Sequence, residues 1–167
     1  LWTGELIRTA PDQITKAHLD FINAGAEIII TSSYQLSYLG CENRGWSSAQ
    51  TDEALYKSTQ LAKDAVSQSG KDVKVAASVG PYGAALADGS EYRGNYGVGK
   101  TALKDFHAKR IELLIASNPD YLALETMPDT QEVEVLLDLL SDCPIPYWVS
   151  YSCKEGNQTN AGQSFAS

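Results

Sequence analysis

The sequence predicts an α/β fold, a parallel sheet with helices outside it, either doubly wound or closed into a barrel. Two observations carry that expectation. Apolar runs of strand length alternate four times with stretches of helical periodicity, and no hairpin signal joins one run to the next. The 167 residues are 43% hydrophobic and 20% charged, the balance of a chain that buries a core as one domain.

Residues 1–10 read as a loop leading into the first helix. That helix is expected over 11–23, where Ile14, Ala17, Phe21 and Ile22 share a face, Pro11 stands near the start and Gly25 lies just past the end. The run AEIIITSSY (26–34) is β-branched and continuous, which predicts a strand covered on both faces. A second helix follows over 51–68 and stops at Gly70, and VKVAASVG (73–80) is the second strand. The third helix, 101–117, is ended by Asn118-Pro119, because the residue before proline disfavours helical backbone. DYLALETM (120–127) is the third strand. Its helix opens at Asp129 with Glu132 three residues on, the spacing of a capping box. PYWVSYSC (146–153) is the fourth strand. The polar tail CKEGNQTNAGQSFAS then leaves that strand without a covering helix, so one flank of the sheet is expected to be bare and the chain to be a piece of something longer.

Charge and composition exclude several functions. A net charge of −8 is the wrong sign for holding a phosphate backbone, so no nucleic-acid partner is expected. No apolar run approaches the roughly 20 residues of a bilayer span, so no membrane partner is expected either. The opening LWTGELIRTAP lacks the basic and apolar regions of a signal peptide, which makes the cytoplasm the expected compartment. Cys41, Cys143 and Cys153 are odd in number and widely spaced, which suits a reducing compartment. Each is expected to be a buried small hydrophobe.

One motif points to a different chemistry. GNYGVGKT (94–101) matches the phosphate-cradling pattern G-x-x-x-x-G-K-[ST]. A phosphate loop must leave a buried strand and open a helix, so that its amides and the helix dipole face the phosphates. The helix follows Gly99, but the polar segment LADGSEYR precedes Gly94 where a strand is required. The context argues against nucleotide binding.

Strand ends carry the stronger signal, since in parallel α/β folds the carboxyl ends of strands build the site. Here they present Thr31, Ser32, Ser33 and Tyr34, then Ser78, Gly80 and Tyr82, then Glu125 and Thr126, then Ser150, Tyr151 and Ser152. Glu125 directly follows four apolar residues, where burying a carboxylate is costly without a cationic partner. Two readings stand: a structural carboxylate bonded to backbone amides, or one held to receive a substrate ammonium group, which is favoured.

The segments HLDFINAGAEIIITSSYQ (18–35), ENRG (42–45), SVGPYGAALADGSEYRGNY (78–96) and ETMP (125–128), in that order, resemble the homocysteine S-methyltransferase family, and ENRG also echoes the betaine-dependent methyltransferases. The resemblance runs from the initial LW to NAGQSF (160–165). It implies a (β/α)8 barrel of which residues 1–167 hold strands two to five, lacking the first strand and the C-terminal ones. A complete barrel needs about 250 residues.

The implied reaction moves a methyl group from a sulfonium donor, S-methylmethionine or S-adenosylmethionine, to the zinc-activated thiol of homocysteine, giving methionine. The expected partners are therefore small molecules. Carried over by position, Glu125 would bind the amino group of homocysteine, with Tyr34, Thr31, Ser33 and Ser78 lining the same mouth. Tyr92 and Tyr96 would either cover the site or pack their loop. The EYRGNY segment is a loop in this family, which leaves the GKT match a coincidence.

Departures from the family pattern limit what this chain can do. The family holds zinc with three cysteines, one after the sixth strand and a pair in a G-G-C-C motif at the eighth, and neither motif occurs here. Cys41, Cys143 and Cys153 match no zinc spacing, so no metal ligand and no catalytic residue is assigned, and the chain alone is expected to be inactive. His18 and His107 are expected to be helix-packing or surface residues, and Arg93 and Lys100 solvated loop charges. Two rivals differ in class: a non-catalytic half-barrel that acts as an interaction module, and a P-loop nucleotide binder.

Overall fold

The computed structural model describes residues 2–154 and 156–164; Leu1 and Phe165, which end the family-like stretch, lie outside the described residues. Four strands form one sheet in the order β1 (Ile28–Ile30), β2 (Lys74–Val79), β3 (Tyr121–Met127) and β4 (Tyr147–Tyr151). All three pairings are parallel, with Ile29 opposite Val75, Ala77 opposite Leu122 and Leu124 opposite Val149. Each connection passes through a helix, as parallel pairing requires.

The first ten residues differ from expectation. They form helix α1 (Trp2–Thr9), which ends where Pro11 forces Ala10 out of helical backbone, at φ −152° and ψ 60°. Ile7 anchors this helix in the core. Helix α2 (Pro11–Asn23) spans the residues its periodicity indicates. The strand expected over 26–34 is only three residues long and is not covered on both faces. Ile29 is buried, whereas Ile28 and Ile30 are 45% and 41% exposed. β1 is the sheet edge, so β2 satisfies its backbone on one side only.

Helix α3 (Tyr38–Glu42) is a short turn capped by Ser37, whose Oγ accepts from the Gly40 N–H at 3.0 Å. Helix α4 (Ser48–Ser69) begins three residues before expectation, because Ser47 and Gln50 form a reciprocal capping box. It ends at Gly70 with φ +64°, a conformation that costs glycine nothing. After β2 come α5 (Tyr82–Leu86), a 3-10 turn at Ser90–Tyr92 and helix α6 (Lys100–Ala116). Helix α7 (Thr130–Leu139) follows β3.

No hairpin joins the four sheet strands, as expected, and the polar tail adds a separate antiparallel pair, β5 (Cys153–Lys154) and β6 (Gln158–Thr159). One further expectation fails. Of the cysteines only Cys41 is buried; Cys143 is half-buried and Cys153 exposed, because they flank and follow the edge strand β4.

Apolar side chains from both layers meet between sheet and helices. Ala77, Val79, Leu122, Leu124 and Met127 of the sheet pack with Leu55 of α4, Leu114 of α6 and Leu136 of α7, all buried. A smaller cluster joins Ile22 and Ile29 to Ala62, Ala65, Val73 and Val75. The sheet is thereby a rigid floor, and its carboxyl-terminal strand ends share one rim.

Candidate active site

Hydrogen bonds join residues from three adjacent strand ends on that rim. The Ser33 hydroxyl donates to the Ser78 carbonyl at 2.7 Å, and the Ser78 N–H donates to Thr31 Oγ1 at 3.0 Å. Thr31 Oγ1 and Ser33 Oγ lie 2.8 Å apart. Ser33 spends its one proton on the carbonyl, so Thr31 is the donor in that contact. The Ser78 hydroxyl in turn donates to Glu125 Oε1. Thr31, Ser33 and Ser78 are buried and Glu125 is half-buried. Four of the residues singled out in the sequence are therefore one connected group. Among the described residues Glu125 makes no ion pair; a serine hydroxyl holds it where a cation was expected.

The backbone at Glu125 is unusual. Thr126 sits at φ +61°, in the left-handed region that β-branched residues avoid. The register between β3 and β4 shifts between Leu124 and Met127. Such bulges re-aim side chains next to active sites. The strain acts next to Glu125, within the last residues of β3.

Tyr34 lies against the same rim. Its ring and carbonyl crowd Gly80 so closely that a Cβ there would fall 2.5 Å from the Tyr34 oxygen, so only glycine fits. Burial pushes the Tyr34 hydroxyl up to about 12. The two loop tyrosines separate. Tyr92 is 62% exposed, whereas Tyr96 turns inward and donates its hydroxyl to Glu132 Oε2 at 3.0 Å.

That contact belongs to a buried polar cluster which the sequence reading missed. Glu132 also accepts from the Tyr82 N–H at 2.5 Å and contacts His107 Nε2 at 2.7 Å; Glu132 and His107 are both fully buried. Desolvation holds the His107 imidazole below its ordinary range, so neutral His107 donates from Nε2 to the carboxylate. Arg110, also buried, donates from Nη2 to the Gly80 carbonyl at 2.7 Å, and burial lowers its pKa to about 10. The expected capping box at Asp129 is therefore only half formed. Asp129 accepts from the Gln131 N–H at 2.9 Å, while Glu132 reaches the loop rather than its own N-cap. The missed signal lay in α6, where Leu103, His107, Arg110, Ile111 and Leu114 form one helical stripe that the ionisable pair shares with the core.

The remaining charges are unremarkable. His18 is buried on α2. Arg93 is exposed and pairs with Asp88 at 3.5 Å; Lys100 is exposed and pairs with Glu134 at 2.7 Å. A 3-10 turn, not a strand, precedes Gly94, so the phosphate-loop context is missing. Among the described residues no three His, Cys, Asp or Glu side chains converge as a metal site, and no helix is long and apolar enough to cross a membrane.

Comparison with known proteins matches the homocysteine S-methyltransferase family model over residues 1–167. The chain belongs to the homocysteine S-methyltransferase family. It is 41% identical to homocysteine S-methyltransferase 2 of Zea mays over 98% of this chain and 53% of that protein. It is 38% identical to homocysteine S-methyltransferase 1 of Arabidopsis thaliana over 99% of this chain and 55% of that protein. The metallated form of the Escherichia coli homocysteine methyltransferase MmuM superposes with a TM-score of 0.92 at 38% identity, covering 98% of this chain and 59% of that one. This homocysteine S-methyltransferase family chain thus spans little more than half the length of the relatives it matches.

Proposed function

We propose that the protein transfers a methyl group from a sulfonium donor, S-methylmethionine or S-adenosylmethionine, to the sulfur of homocysteine, and that residues 1–167 supply strands two to five of one (β/α)8 domain. The sheet order favours a barrel. Four parallel strands lie side by side in sequence order, whereas a doubly wound sheet reverses direction at a switch point.

The supporting observation is the Ser78-held carboxylate of Glu125 at the mouth. A carboxylate fixed by a neutral hydroxyl keeps its charge available for an ammonium group. Glu125 would take the amino group of homocysteine, and Thr31, Ser33 and Ser78 would hold Glu125 in place. Tyr34 would wall the pocket beside it.

The acceptor sulfur then attacks the donor methyl carbon in line. A new S–CH3 bond forms as the old one breaks, and the electron pair of the broken bond stays on the donor sulfur, which becomes a neutral thioether. The thiol proton is lost to solvent. Holding the two sulfurs in line is the contribution expected of the site.

In the family, zinc supplies the thiolate. The three cysteines of this chain lie apart, one buried, one half-buried and one exposed, and do not fit a zinc set. We assign the metal to residues outside these 167, and this chain alone is expected to be inactive.

The test is methyl transfer by the full-length protein from S-methylmethionine carrying a deuterated methyl group. The reading predicts deuterated methionine that depends on homocysteine. Absence of labelled methionine with either sulfonium donor overturns it.

A further inference from the structure

A second carboxylate stands near the mouth, one of its oxygens unpaired among the described residues. Glu91 lies in the 3-10 turn Ser90–Tyr92, and its Oε2 is buried with no hydrogen-bond donor among the described residues. The Tyr34 hydroxyl is also buried; Thr126 lies beside it, but no bond of good geometry forms. Glu91, Tyr92 and Glu125 are all within electrostatic range of that hydroxyl. The nearest cation in sequence is otherwise engaged, since Arg93 bonds the Asp88 carbonyl at 3.1 Å and its carboxylate at 3.5 Å. Buried polar atoms are almost always paired, so an orphaned carboxylate oxygen calls for a ligand.

The turn is also firmly seated. A Cβ on Gly83 would fall 2.5 Å from the Glu91 nitrogen, so α5 and the turn meet at van der Waals contact. Ser152, past the end of β4, donates to the Glu91 carbonyl at 3.3 Å. On the far side Tyr96 is held by Glu132, and the Asn95 side chain donates to the Ala161 carbonyl at 3.2 Å. The Glu91 backbone is thus fixed by α5 and by the residue that follows β4.

We infer that Glu91 is a binding residue for the positive charge of the methyl donor, so that the mouth holds two carboxylates with separate duties: Glu125 for the acceptor's ammonium group and Glu91 for the cationic donor. This rests on the methyltransferase reading. Tyr34 and the exposed ring of Tyr92 would add π faces for the same cation.

The chemistry sets where the effect falls. As thiolate and sulfonium react, their charges cancel, so the donor is most cationic before the transition state. An ion pair to it strengthens ground-state binding more than the transition state. Removing it should therefore raise the donor KM and leave kcat unchanged or higher.

The experiment is steady-state kinetics of the full-length protein and its Glu91→Gln variant with S-methylmethionine and homocysteine varied in turn, alongside thermal unfolding of both. The expected result is a donor KM raised about tenfold or more, as for loss of a charged hydrogen bond. The homocysteine KM should stay within about twofold, and Glu91→Asp should restore part of the loss. An unchanged donor KM, or equal rises for both substrates, overturns the inference. If Glu91→Gln fails to fold, Glu91→Ala carries the test, and an unaltered donor KM there overturns it as well. A wild-type protein that transfers no methyl group overturns the methyltransferase reading and this inference together, which distinguishes the two failures.

Discussion

Ser78 links the sheet to the candidate chemistry through both ends of one residue. Its backbone N–H is fixed by Thr31 and its carbonyl by Ser33, so the hydroxyl reaches Glu125 from a rigid base. Ser78→Ala is expected to cost about 1–2 kcal/mol of stability, and to raise the homocysteine KM more than it lowers kcat, because Glu125 would lose its aim. Unfolding curves and kinetics on the same preparation check both. Thr126 is the complementary case. Thr126→Gly removes left-handed strain of about 1–2 kcal/mol but adds chain entropy, so stability should change by less than about 1 kcal/mol, while homocysteine binding weakens as Glu125 loosens. Equal affinity in the variant would show that the backbone strain has no part in the site. Glu125, Ser78, Thr31 and Ser33 were legible because polar residues after apolar runs stand out at strand ends. The strain at Thr126 was not, since ETMP carries no glycine to announce a positive φ.

Helices α6 and α7 meet through a buried hydrogen bond between ionisable residues that the sequence disguised. Glu132 stands where an N3 capping residue belongs, and local spacing alone predicts that role. The loop tyrosine and His107 compete for the same carboxylate and win, because the half-buried Tyr96 and the buried His107 both lie against it. Periodicity read most helices within a few residues, since caps and stripes are local. It overextended β1, because continuous β-branched runs do not reveal how many neighbouring strands will cover them.

The neutral state of His107 makes stability depend on pH. Its native pKa lies below the ordinary 6.5, so the unfolded chain binds the proton more readily. His18, also buried, is shifted the same way. Stability is then complete above pH 6.5 and falls as pH drops toward the native values, by at most about 1.4 kcal/mol per pH unit for His107. Urea unfolding between pH 7 and pH 5 should show a falling midpoint. His107→Gln should flatten that dependence; an unchanged slope would mean that folding does not shift the His107 proton equilibrium, and a steeper one that His107 is protonated in the native state.

Across the whole molecule the sheet ends in an open edge strand on each flank, β1 on one side and β4 on the other, as the bare β4 flank read from the sequence anticipates for that side. Beside β1 a groove of about 440 Å³ is lined by Ile14, Phe21, Ile28 and Ile30, and the Phe21 ring is 68% exposed. Apolar surface of this kind marks a contact. On the barrel reading the remaining strands and helices cover it. The 167-residue chain alone should therefore bind a hydrophobic dye at this groove, and Phe21→Ser should weaken that binding; the full-length protein should bind little. Strong dye binding by the full-length protein that Phe21→Ser abolishes would contradict the barrel assignment.

The most direct test of the central claim compares homocysteine with 4-mercaptobutanoate, the same thiol acid without its amino group, as methyl acceptors for the full-length protein and its Glu125→Gln variant. The wild type should prefer homocysteine by about a hundredfold or more in kcat/KM, as expected for a desolvated charge pair, and Glu125→Gln should remove most of this preference by losing activity on homocysteine alone. A variant that keeps the full preference would show that Glu125 does not receive the amino group, and would return it to a structural role.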